Sequence, residues 1–102
     1  MTVSEPDFDQ VMAIYQEFGP RRAVPVEERW LEQFPETPAL RLAEWAELCR
    51  RIEDTAGALA EAVLDHRMQE AEAKTELSRQ FPRLSEETIN RTHSQAIFFA
   101  SK

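Results

Sequence analysis

The chain has 102 residues, 42% of them apolar and 9% aromatic, with nineteen acidic against twelve basic side chains and a formal net charge of -7. That composition predicts a folded protein and excludes a disordered tail, and the length predicts a single domain over 1–102 that buries roughly 65% of the surface its unfolded form exposes. Ten acids stand against six bases in residues 1–51 (-4) and nine against six in 52–102 (-3), with Arg21-Arg22 and Arg50-Arg51 as the adjacent Arg/Lys pairs; so even a spread of negative charge argues against direct nucleic-acid binding.

The single cysteine, Cys49, permits no intramolecular disulfide framework and points to a reducing compartment, the cytoplasm. Met1 to Asp9 lacks an apolar signal core, and no run approaches the roughly 18 apolar residues of a membrane span, so no membrane contact is expected. Only two glycines occur, Gly19 and Gly57; long breaker-free stretches and the absence of alternating β-branched runs predict an all-α fold, a small bundle of about four helices.

In chain order, a first helix is expected from about Glu5 to Phe18, capped by Ser4 and ended by Gly19-Pro20, with Phe8, Val11, Met12, Tyr15 and Phe18 on one stripe. A connector over 19–25 leads to a short helix from Val26 to Phe34, started by Pro25 and stopped by Pro35. Val26, Trp30 and Phe34 align on it, and a helix this short needs cover from elsewhere.

Thr37-Pro38 then reads as a helix start, and helix formers continue to Phe81-Pro82, predicting one long helix over about 38–81. At about 1.5 Å per residue it would reach about 65 Å, longer than a domain of this size is wide. A break near Gly57 into a hairpin lacks a following cap or proline, so a continuous helix, at most kinked at Gly57, is the preferred expectation. Ile52, Ala56, Leu59, Val63, His66, Glu70, Ala73, Leu77 and Gln80 follow seam spacing along it, which leaves part of the helix to be covered by another chain.

The last helix is expected from Ser85 as cap to about Ala100, with Glu86 and Glu87 at the favourable end of its dipole. Ile89, His93, Ala96, Ile97 and Ala100 form its stripe, Phe98 points away from it and Phe99 flanks it. The endings Leu31-Glu32-Gln33-Phe34-Pro35 and Leu77-Ser78-Arg79-Gln80-Phe81-Pro82 share stop chemistry without any longer repeat.

No catalytic group, cofactor or metal site is expected. Cys49 with His66 or His93 lacks the glycine-rich elbow and oxyanion loop of a nucleophilic site. Glu44 with Glu47 and Glu61 with Asp65 form two acidic pairs whose spacing resembles the paired acidic motifs of the all-alpha nucleoside triphosphate pyrophosphatases. That resemblance implies a divalent metal between helices and nucleotide hydrolysis, but the consecutive acidic pair followed by a further acid, which the second motif of that family carries, is absent here. The plainer reading places these acids on solvated faces beside Arg41, Arg50 and Arg51.

The resulting expectation is a non-enzymatic protein–protein interaction module, a homodimer or small subunit or adaptor using apolar helix faces. Trp30, Phe34, Leu59, Val63, Phe98 and Phe99 are the residues expected to meet the partner. One alternative is an acidic inhibitor or immunity-type protein that binds a basic partner by charge complementarity, and another is the metal-dependent nucleotide pyrophosphatase.

Overall fold

The computed structural model describes residues 6–17 and 19–101. Among them the chain is all-α, with helices α1 (Phe8–Tyr15), α2 (Val26–Gln33), α3 (Ala39–Leu64), α4 (Glu70–Gln80) and α5 (Glu86–Ala100), a 3-10 turn at Pro20–Ala23, and no strand. The single domain expected from the length divides, by its internal contacts, into two compact units, one ending at Cys49 and the other beginning at Arg50, with α3 contributing to both.

In the first unit, α1 starts later than expected. Asp7 takes the extended cap conformation, and its backbone N–H donates to the Gln10 side-chain oxygen at 3.2 Å, which satisfies one of the donors that a helix start leaves without a partner. The expected Ser4 cap and the Phe18 end of the stripe lie outside the described residues. Gly19 has φ 94, a conformation that glycine reaches without the clash a Cβ brings. Its carbonyl accepts from Arg22 N–H at 3.0 Å to open the 3-10 turn.

Val11, Met12, Trp30, Leu42, Trp45 and Cys49 form the apolar interior of this unit. Trp30 is fully buried. Its indole N–H donates to the Val11 carbonyl at 3.0 Å, fastening α2 to α1, and its ring meets Trp45 edge-on, centroids 5.5 Å apart. Phe34 approaches Trp45 from a second edge at 6.0 Å. Edge-to-face pairs of this kind contribute about 0.5–1.5 kcal/mol each beyond their area, and here they hold a two-turn helix that could not persist alone.

A charged side chain shares this interior. Arg29 is 6% exposed, and its guanidinium donates to the carbonyls of Val24 and Ile14, with the Glu17 carboxylate 4.0 Å away. The Ile14 carbonyl lies in the last turn of α1, where the helix dipole favours a cation. Burial of the charge is therefore offset by acceptors the chain has to satisfy in any case.

The two Phe-Pro endings adopt one geometry. Phe34 has φ -132, ψ 70 and Phe81 has φ -128, ψ 70, each pushed out of the helical region by the proline that follows. Phe34 N–H donates to Trp30 O at 2.7 Å and Phe81 N–H to Leu77 O at 3.0 Å, after which Thr37 N–H and Leu84 N–H fold back onto the Phe34 and Phe81 carbonyls. Thr37 does not cap α3 as expected; its hydroxyl donates to the Phe34 carbonyl at 2.8 Å, and the Pro38 carbonyl accepts from Arg41 and Leu42.

In the second unit, the helix expected over about 38–81 is two helices. α3 runs without interruption through Gly57 to Leu64, and a Cβ built at Gly57 meets nothing within 4 Å, so no close approach demands that glycine. The break falls at Asp65–Gln69. His66 N–H donates to Val63 O at 3.1 Å and Arg67 N–H to Ala62 O at 2.9 Å, the crossed pair of bonds that closes helices whose next residue is left-handed. Glycine usually fills that position; here His66 holds φ 59. The conformation costs an L residue roughly 1–2 kcal/mol, which packing of the following hairpin offsets.

That hairpin is α4 and α5, packed against each other. The unit buries Ile52, Ala56 and Ala60 of α3, Ala73 and Leu77 of α4, Leu84, and Thr88, Ile89, Thr92 and His93 of α5. The seam on α3 steps by four through alanines, Ile52, Ala56 and Ala60, whereas Leu59 and Val63, expected at its centre, are half-buried. His66 and Glu70, expected to share one helix face, are parted by the break, and Glu70 instead meets the buried His93 at 3.2 Å.

Candidate interaction surface

α5 begins as its sequence predicts. The Ser85 hydroxyl oxygen accepts from Thr88 N–H at 3.2 Å, and Glu86 and Glu87 occupy the first turn, where the helix dipole favours negative charge. The face carrying Thr88, Ile89, Thr92 and His93 is buried, Ala96 and Ile97 are half-covered, and residues 98–101 are exposed. The helix thus runs past its cover within the final turn, and that turn is aromatic.

Phe98 is 54% and Phe99 44% exposed, with their rings edge-on at 5.5 Å and 72°. Phe98 lies nine positions beyond Ile89, about 180° around a helix of 3.6 residues per turn, so it points away from the buried face. Phe99 continues the direction of Thr88 and Thr92, past the end of the cover. Residues 94–101, Ser-Gln-Ala-Ile-Phe-Phe-Ala-Ser, contain no charged side chain. In a chain of net charge -7 this is an apolar tip free of the repulsion that acidic faces create, and adjacent exposed aromatics of this kind anchor protein interfaces.

The other residues expected to face a partner are placed differently. Trp30 presents no surface, because its indole fills the core of the first unit and its N–H is held by Val11. Phe34 is half-buried against Trp45, and Leu59 and Val63 are half-buried in the second unit. Three exposed leucines were not anticipated, Leu31 at 37%, Leu40 at 81% and Leu64 at 39%; the last two lie close to an end of α3, and helical spacing puts Leu40 on the side away from Leu42 and Trp45, a signal present in the sequence. The clasps formed by Arg29 and by Glu70 with His93 left no comparable signal, since their partners are distant in the chain.

No protein family, curated protein or solved structure matches this chain.

The acidic pairs do not form a metal centre. Glu44, Glu47 and Glu61 lie on α3 and Asp65 in the turn that follows it, with Glu44 and Glu61 seventeen positions apart, roughly 25 Å along a helix rising about 1.5 Å per residue. Among the described residues no three His, Cys, Asp or Glu side chains are grouped so as to hold a metal ion. Arg41 pairs with Glu44 at 3.3 Å in the i,i+3 manner of a solvated face, and Cys49 is a buried thiol. No helix among the described residues is long and apolar enough to cross a membrane.

Proposed function

We propose that this chain is a non-enzymatic interaction module that docks on another protein chain through the aromatic tip of α5, with a second copy of itself as the first partner to test. The observation that supports this is the pair Phe98 and Phe99, exposed by 54% and 44% on a turn that extends beyond its own cover. Two neighbouring rings kept in water carry a free-energy cost that burial against a partner relieves, at about 25 cal/mol per Å² of apolar surface. The uncharged stretch 94–101 fits contact with a like-charged copy, and the lone cysteine fits a cytoplasmic setting.

Size-exclusion chromatography with light scattering on the native full chain tests the reading. The expected result is a dimer, or a monomer–dimer equilibrium, that Phe98→Ser/Phe99→Ser shifts to monomer while leaving the helical circular dichroism unchanged. Association equally strong in that variant overturns docking through the tip.

A further inference from the structure

We propose that the second copy meets the whole end of the second unit at which α5 terminates, in a two-fold contact where Leu64 joins Phe98 and Phe99 and Arg67 of each copy pairs with Asp65 of the other. This rests on reading the chain as one that docks through the α5 tip, and it names the partner and the rest of the surface.

The hairpin sets which residues share that end. α4 and α5 pack on each other and are joined by the short loop 81–85, so they run antiparallel. Glu70, the first residue of α4, meets His93 at 3.2 Å. From there α5 continues to Ala100, about 10 Å further at 1.5 Å per residue, with α4 no longer beside it. The chain enters α4 at this same end. α3 closes there, the Val63 and Ala62 carbonyls accepting from His66 and Arg67 N–H, and the stretch from Leu64 to Glu70 spans at most about 20 Å. Among the described residues, the exposed large apolar side chains of the second unit are Leu64, Phe98 and Phe99, and all three belong to this end.

The charge at this end favours a second copy as the occupant. Asp65 and Arg67 lie 3.3 Å apart with both side chains exposed, one acid and one base at the edge of an apolar patch. A two-fold axis sets each residue of one copy against its counterpart's neighbour in the other, so such a pair is complementary to itself: the two copies exchange partners, Arg67 to Asp65 in both directions. Pairs at an interface rim fix register and partner choice more than affinity. In a chain of net charge -7, a patch whose own charges cancel lets two copies approach.

The test is a dilution series of the full chain by size-exclusion chromatography with light scattering. Leu64→Ser should lower the association constant roughly tenfold or more, since two leucines per dimer lose their burial, with helical circular dichroism unchanged. Leu40→Ser, equally apolar and exposed but in the first unit, should leave association unchanged. Arg67→Glu and Asp65→Lys should each weaken self-association at low salt, and an equimolar mixture of these two variants should restore the dimer as a heterodimer.

If Phe98→Ser/Phe99→Ser dissociates the dimer while Leu64→Ser acts no more strongly than Leu40→Ser, or if the mixed charge variants associate no better than either alone, the two-fold contact is overturned and docking through the tip stands. A monomer at every concentration of the native chain overturns the contact and its second-copy partner together.

Discussion

Replacing Trp30 by phenylalanine tests the core of the first unit, and its expected effect follows from three contacts. The indole N–H bond to Val11 O at 3.0 Å is lost, about 1 kcal/mol for a buried neutral hydrogen bond. The smaller ring leaves a void in a site with no exposure, a cavity contribution of about 1 kcal/mol. The edge-on contact with Trp45 at 5.5 Å is weakened by about 0.5 kcal/mol. Trp30→Phe should therefore destabilise the first unit by about 2–3 kcal/mol, and Trp30→Ala by about 3–5 kcal/mol. Urea denaturation reads this directly, because the variant retains Trp45 as its single tryptophan, a fluorescence probe inside the affected unit. Association of the folded variant should be unchanged. A stability loss below about 1 kcal/mol, or a selective loss of association, would refute the assignment of Trp30 to the core.

Two further outcomes follow from the polar contacts. Arg29→Met removes the donor held by Val24 and Ile14 and should cost about 2–4 kcal/mol in chemical denaturation, since bonds from a charged donor to buried carbonyls are among the stronger ones; an unchanged midpoint would show that solvent satisfies both carbonyls. On α4, the Arg79 guanidinium and then the Gln80 amide hold the Glu76 carboxyl down to about 2 from an ordinary 4.5. A depressed carboxyl stabilises the fold above the ordinary value, and its support is lost as pH falls from about 4.5 towards about 2. An NMR titration of the Glu76 carboxyl should show the low midpoint, moving back up in Arg79→Ala, and the small stabilisation it brings at neutral pH should be missing in Glu76→Gln.

The helices were legible where a local rule acts within one turn. Ser85 with Glu86 and Glu87 starts α5, Pro25 starts α2, and the Phe34-Pro35 and Phe81-Pro82 pairs stop their helices, because proline excludes the residue before it from the helical region whatever surrounds it. The apolar periods likewise placed Val11, Met12, Ile52, Leu77 and Ile89 on inward faces. The exposed Phe98 was visible as an aromatic on the wrong side of its stripe.

Tertiary contacts decided the rest. Nothing local ends α3 at Leu64: Asp65-His66-Arg67-Met68-Gln69 is as helix-compatible as its flanks, and the left-handed His66 is unfavourable by itself. Beyond the stop, α4 packs on α5 with Ala73 and Leu77 buried and Glu70 against His93, twenty-three positions away, contacts that no window of neighbouring residues contains. The same distance hid the role of Arg29, whose acceptors belong to the end of α1 and the connector, and the placement of Trp30, which helical periodicity assigns to a face without saying which side of that face is already filled. Amphipathic spacing is a property of one helix, whereas burial belongs to the pair it packs into.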